Sequence, residues 1–396
     1  MNSHSLCLLS IVLGVLAVGI VTAAAPASIE PDPLYAAVVP VSTSPIAPAL
    51  PPIAAAPAQA PVPAQFVSAA PAAAADADTP LKLAMDRILR GHKGEAVLTD
   101  LRTGERWISG GVRARMAYNP ASTFKLLTAY YGLNRGLIEP DGTLMCRPFN
   151  YGGKYIRCWR ARGHGPIDIR HALAVSCNGL FYTVGLLCDA EATQLERLAQ
   201  AVGYVPADTA TTKPELFGHG DGWYVSPLAQ AKMLGAIATA GTGLPGGSEI
   251  PPVFTDLAAL KVMREGMRRC LIDGSAKHAD IPEFPMAGKT GTLGKQGWFL
   301  TFAPYDKPQV SCVVHLDHEW GHQAASIAKR VLQAYLQFRA LGPERFAESL
   351  QSIKAAPGKR MYARSSGKNA KMRKASGRRS PGRARRASGQ KLASAK

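Results

Sequence analysis

Ser122 and Lys125 stand three residues apart in Asn119-Pro120-Ala121-Ser122-Thr123-Phe124-Lys125. On a helix this spacing puts both side chains on one face. A serine hydroxyl attacks a carbonyl only when a neighbour takes its proton, and a desolvated, neutral lysine amine can do so. The S-x-x-K pattern alone is loose: it occurs at Ser122, Ser326, Ser365 and Ser388. Two further stretches single out Ser122. Ser176-Cys177-Asn178 and Lys289-Thr290-Gly291-Thr292 each occur once, in that chain order. Together the three supply a nucleophile, a base, a hydroxyl relay, an amide and a cation beside two hydroxyls. His318-Glu319-Trp320-Gly321-His322 fits a zinc-protease pattern, which needs both histidines on one helix face. With Gly321 inside it, this stretch is expected to be a loop instead.

These groups need elements to carry them. Pro120 presets a helix start, and Leu126–Leu133 continues it as an apolar run. Leu81, Met85, Ile88 and Leu89 recur at i, i+4, i+7, i+8, which predicts a helix over Leu81–Leu89. Glu95–Thr99 and Glu105–Ser109 read as strands joined by a turn ending in Gly104. Arg170–Leu187, Gln194–Val202, Leu228–Ala240 and Leu257–Leu271 read as helical, with Ser176 between helices. Met286–Leu293, Gly297–Phe302 and Val310–Leu316 read as neighbouring strands, and Gln323–Phe338 as a closing helix. Strands at both ends with helices between imply an α+β fold, an antiparallel sheet backed by helices.

The S-x-x-K, S-x-N and K-T-G set resembles penicillin-binding transpeptidases and serine β-lactamases. The surroundings of Ser122 and Ser176, the Gly-Lys-Thr-Gly-Thr segment, and Trp298–Pro304 are similar to the transpeptidase domain of class B penicillin-binding proteins, from about Glu95 to about Leu336. The resemblance implies a five-stranded antiparallel sheet flanked by helices, with the Ser122 helix between it and an all-helical half. It implies Ser122 as nucleophile, Lys125 as base, Ser176 as relay to the leaving amine, and Asn178 as a hold on Lys125 or the substrate amide. Lys289 would supply positive potential, Thr290 and Thr292 would bind a carboxylate, and Gly291 would leave the strand edge open to a peptide. The N–H groups of Ser122 and Thr292 would form the oxyanion hole. Expected partners are peptidoglycan stem peptides and β-lactams; no cofactor or metal is expected. Two features depart from the family: Ala121 stands where glycine is commoner, and Leu293 follows the last motif. A class D β-lactamase is the nearest alternative, because Pro120–Lys125 resembles that class too. That class has an apolar residue where this chain has Asn178, and the Tyr-Gly-Asn motif it carries after the second site does not follow Ser176 here. A non-catalytic β-lactam sensor or wall-binding protein is the remaining alternative.

Around this part the composition changes. Residues 1–29 carry no charged side chain, and Cys7–Ala25 is mostly apolar, so 1–25 reads as either a cleaved signal or a membrane anchor. The extracytoplasmic, periplasmic face is the expected location. Residues 26–78 are rich in Ala and Pro and read as an extended linker, where class B proteins usually carry a sizeable further domain. The transpeptidase-like domain is assigned to 79–340 and a basic, disordered tail to 341–396. From Lys354 to Lys396 there are fifteen Lys or Arg and no Asp or Glu, which leaves +3 of the net +18 for the rest. Such a tail suits anionic wall or membrane polymers, and no specific nucleic acid is expected. Six cysteines follow the apolar start; Cys146 and Cys158, bracketing Tyr151-Gly152-Gly153, are the pair most open to a disulfide. No Cys-x-x-Cys pair points to zinc.

Overall fold

The computed structural model describes residues 78–355, except 152, 189–191, 208–221, 242–243 and 245–249. The expected signal or anchor (1–25), the linker up to residue 77 and the tail beyond 355 lie outside the described residues. Among the described residues no helix is long and apolar enough to cross a membrane.

A five-stranded antiparallel sheet is built from both ends of the domain. Its strands are β1 (Gly94–Asp100), β2 (Arg106–Ser109), β9 (Ala287–Leu293), β10 (Gln296–Ala303) and β11 (Val310–Asp317), in the order β2-β1-β11-β10-β9. Both faces are buried, so alternate residues feed two cores. Trp298, Leu300 and Phe302 join the core shared with the middle of the chain; Phe299 and Ala303 point into the other. That second core packs helix α1 (Pro80–Leu89) and the long last helix against the sheet. Thr79 caps α1, its hydroxyl accepting from Lys82 N–H at 3.3 Å, and Pro80 occupies the first turn.

The middle of the chain makes the helical half. Helix α2 (Lys125–Asn134) is buried from Lys125 to Leu133, as a helix apolar all round must be. Small antiparallel pairs follow: β3 (Thr143–Cys146) with β6 (Gly165–Asp168), and β4 (Phe149–Tyr151) with β5 (Lys154–Ile156). Then come α3 (Ile169–Ala174), α4 (Asn178–Leu187), α5 (Ala192–Ala201), the short pair β7 (Val205–Pro206) and β8 (Trp223–Tyr224), α6 (Pro227–Ala238) and α7 (Leu257–Ile272). Ser226 and Asp256 cap α6 and α7 through their side chains.

Several sequence expectations need correction. The turn that carries Ser122 is not yet α-helix: Ala121–Thr123 is a 3-10 turn, and α2 begins at Lys125. Ala121 has φ 51, in the left-handed region. This gives the departure from glycine at that position a physical cost, because a left-handed L-residue is strained by about 1–2 kcal/mol. Within Arg170–Leu187, Ser176 lies between α3 and α4, where the sequence reading also put it, and has φ 54. The last helix, α8 (Gly321–Ser349), outruns Phe338, with a break at Gly342 (φ 77) before Pro343. A folded helix therefore continues past residue 341, where the tail was expected to begin, because Phe346 and Leu350 are buried in the second core.

Ala121→Gly should remove the left-handed strain and raise stability by up to about 1 kcal/mol, after the extra freedom of glycine in the unfolded chain is counted. Chemical denaturation measures it; a loss of more than that amount would mean the methyl group packs usefully in the turn.

Candidate active site

Each motif enters the cleft on a different element. Ser122 is half-buried on the 3-10 turn, whose start is tied down by Asn119: its Oδ1 accepts from Ala121 N–H at 2.8 Å, and its carbonyl accepts from Trp298 Nε1 at 2.9 Å. Thr123 is held from both sides, donating to Pro120 O at 2.7 Å and accepting from Gln230 Nε2 at 2.7 Å. Sequence reading missed the buried Gln230, and nothing in its local pattern marks it.

Lys125 has no solvent exposure. Its Nζ donates to Asn178 Oδ1 at 2.6 Å, to the Ser176 carbonyl at 3.2 Å and to Ser176 Oγ at 3.4 Å. Burial, then repulsion from Lys289, lowers its pKa to about 7. Ser176 and Asn178 are half-buried and reach it because the left-handed backbone at Ser176 turns the chain between α3 and α4.

Lys289 is equally buried, and desolvation lowers its pKa to about 8. Its Nζ donates to Thr290 O at 2.8 Å, while the Thr290 hydroxyl meets Ser275 Oγ at 2.5 Å. Gly291 passes so close to the turn bearing Ser122 that a Cβ there would lie 3.1 Å from Thr123 Cγ2 and 3.2 Å from Pro120 O. Thr292 is exposed, with its Oγ1 accepting from Gly321 N–H at 2.9 Å. Lys125, Ser176 and Asn178 are thus in direct contact, and β9, which carries the other four motif residues Lys289 to Thr292, is an edge strand that passes beside the turn bearing Ser122.

The zinc-protease pattern is not built. His318 sits at φ 63 between β11 and α8, and Glu319 Oε1 bonds His92 Nδ1 at 2.8 Å. A different group can hold an ion. Cys146 ends β3, Cys158 and His164 lie between β5 and β6, and Cys177 caps α4. Their ligand atoms all lie within 4.8 Å of one another. Cys158 Sγ and Cys177 Sγ are 4.0 Å apart, and His164 Nδ1 is 3.5 Å from both Cys146 Sγ and Cys158 Sγ. A tetrahedral zinc ion with Zn–S of about 2.3 Å and Zn–N of about 2.0–2.1 Å spaces its ligands by about 3.8 Å and about 3.5 Å. Backbone N–H groups also aim at the sulfurs, from Asn178 to Cys158 at 3.3 Å and from Leu180 to Cys177 at 3.4 Å. Hydrogen bonds from the Cys146 and Cys177 thiols pull the Cys158 thiol well below its ordinary value, and burial keeps the His164 ring neutral. The disulfide expected between Cys146 and Cys158 is not formed; both are free and converge with Cys177 and His164. Sequence reading did not bring these four residues together, because they are spread over separate elements with no Cys-x-x-Cys spacing. Cys177 lies inside the Ser176–Asn178 motif, so the cluster grips the loop that faces Lys125.

The family model for the penicillin binding protein transpeptidase domain matches residues 94–336. The peptidoglycan D,D-transpeptidase MrdA of Haemophilus influenzae is 24% identical over 309 residues, covering 60% of this chain and 47% of that protein. MrdA of Acinetobacter baumannii is 25% identical over 301 residues, covering 58% and 44%. The chain thus spans less than half the length of these relatives. The D,D-transpeptidase domain of a peptidoglycan glycosyltransferase from Eggerthella lenta superposes with a TM-score of 0.56 at 19% identity, over 66% of this chain and 82% of that one. Penicillin-binding protein PBP2 of Helicobacter pylori, in its complex with MreC, gives 0.57 at 19%, over 66% and 63%. These likenesses establish the fold.

Two outcomes test the site. A protonated Lys125 cannot accept a proton, so the acylation rate should rise with pH through about 7. It should fall above about 8 as Lys289 loses its charge. A stopped-flow pH series with a chromogenic β-lactam reads this; a flat profile from pH 6 to pH 9 would rule out the lysine base. One zinc per chain should survive dialysis. Cys158→Ser should lower that content severalfold and His318→Ala leave it unchanged, measured by elemental analysis.

Proposed function

Because the chain belongs to the penicillin-binding protein transpeptidase family, we propose that it is a D,D-transpeptidase acting on peptidoglycan stem peptides through an acyl-enzyme on Ser122. The observation that carries this reading is the buried Lys125 amine, held 2.6 Å from Asn178 Oδ1 and with its pKa near neutrality. At physiological pH a large share of that amine is free to take the Ser122 proton, whereas an ordinary lysine would be almost wholly protonated.

The donor peptide adds along the β9 edge, where Gly291 leaves room for its backbone. Thr290 and Thr292 receive its terminal carboxylate, in the positive potential of Lys289. Ser122 Oγ attacks the penultimate carbonyl as its proton passes to Lys125. The developing oxyanion is met by the N–H groups of Ser122 and Thr292, each worth roughly 100- to 1,000-fold in rate. The proton then moves through Ser176 to the leaving amine, and the C–N bond breaks to leave the ester on Ser122. An acceptor amine attacks that ester, and the hydroxyl of Ser122 is restored. Asn178 keeps Lys125 aimed at both hydroxyls. A β-lactam carbonyl enters the same route but leaves its amine tethered.

This chemistry belongs on the extracytoplasmic face, with residues 1–25 as signal or anchor and the basic tail beyond 355 drawn to anionic wall or membrane polymers. Ser122→Ala should abolish labelling by fluorescent penicillin, and the wild-type chain should hold a benzylpenicillin adduct for many minutes by intact mass. Rapid loss of that adduct would favour a β-lactamase, and labelling that persists in the variant would discard Ser122.

A further inference from the structure

Between β4 and β6 the chain presents an unusual surface beside the catalytic loop. From Gly142 to Ile167 there is no acidic residue. In Lys154–Arg162 the buried positions are Ile156 and Cys158, while Tyr155, Arg157, Trp159, Arg160 and Arg162 face outward. Tyr155 and Trp159 are 65% and 62% exposed and lie among the arginines of one short segment. Among the described residues no carboxylate pairs with Arg157, Arg160 or Arg162.

The surface is anchored to the site rather than loosely attached. Trp159 Nε1 donates to the carbonyl of Val175, the residue before Ser176, at 3.1 Å. Cys158 accepts from the Asn178 N–H, and the Cys146–Cys158–His164–Cys177 cluster ties the segment to the motif itself. An ion there would fix cationic and aromatic groups at a set distance from Ser122.

We propose that Lys154–Arg162 is the docking surface for the acceptor strand: an anionic glycan–peptide chain whose carboxylates meet Arg157, Arg160 and Arg162 and whose sugars lie on Trp159 and Tyr155. This rests on the transpeptidase reading above and adds the second substrate to it. Charge complementarity decides the occupant. In the transpeptidase reading the carboxylate of the donor goes to Thr290 and Thr292 on β9, in the positive potential of Lys289. The basic segment is bonded to the loop between α3 and α4, through Trp159 to Val175 and Cys158 to Asn178, so a strand bearing further free carboxylates that lies on it is held beside the acyl group. An aromatic face with a guanidinium fork alongside suits a polymer that alternates sugar rings with carboxylates.

The test uses the full metal-loaded chain and soluble, uncross-linked glycan–pentapeptide strands. Arg157→Glu combined with Arg160→Glu should weaken strand binding and raise the KM for strands about tenfold, with kcat changed little. Arg157→Lys with Arg160→Lys should restore most of the binding. The benzylpenicillin adduct reports that the pocket is folded in each variant. Unchanged strand affinity in the double reversal would overturn the proposal, as would an equal loss from Arg345→Glu on the last helix, which would mean unspecific charge attraction. A wild-type chain that forms no penicillin adduct yet binds strands through Arg157 and Arg160 would sink the transpeptidase reading and leave the docking surface standing.

Discussion

Everything at this site depends on keeping water away from one amine. Lys125 is enclosed by a helix apolar on every side, by the Phe181 ring, whose centroid is 5.4 Å from Nζ, and by the Ser176–Asn178 loop. Lowering a lysine from 10.5 to about 7 means that the fold disfavours its proton by about 4–5 kcal/mol. The stability of the domain opposes this burial at neutral pH, so other contacts must hold the pocket closed. Both sheet faces are packed, and the helical half shares one core with the sheet strands. Lys289 sharpens the effect, since two buried amines in mutual range cannot both keep their charge without cost.

Much of this was legible in the sequence. The three C-terminal strands were placed to within a few residues, and helical spacing at Leu81, Met85, Ile88 and Leu89 placed the first helix. The motif residues could be named because their types are chemically unusual in company: a lysine inside an apolar helix, a Ser-x-Asn turn, a Lys-Thr-Gly strand. What stayed hidden was held by long-range packing. The loop at Ser176 could be placed between helices, but its left-handed backbone could not be read from the residue types. Phe346 and Leu350 look like isolated apolar residues ahead of a basic tail, yet they finish the second core.

The cysteine cluster marks the same limit from the other side. A pair bracketing a glycine turn is a fair disulfide candidate by sequence, because connectivity and distance are invisible there. The fold instead gathers four ligand atoms from a strand end, a turn and a helix cap. That arrangement joins the segment carrying Trp159 to the motif carrying Asn178, so the positions of Ser176, Asn178 and Trp159 are set together.

The left-handed backbone at Ser176 limits what evolution can place there. Threonine has the same hydroxyl and would serve the same proton transfer, yet its branched Cβ is poorly tolerated at φ 54. Drift at this codon is therefore confined by shape before it is judged by reactivity, and the side chains that fit the turn most easily, such as asparagine and glycine, lack an oxygen able to pass a proton along.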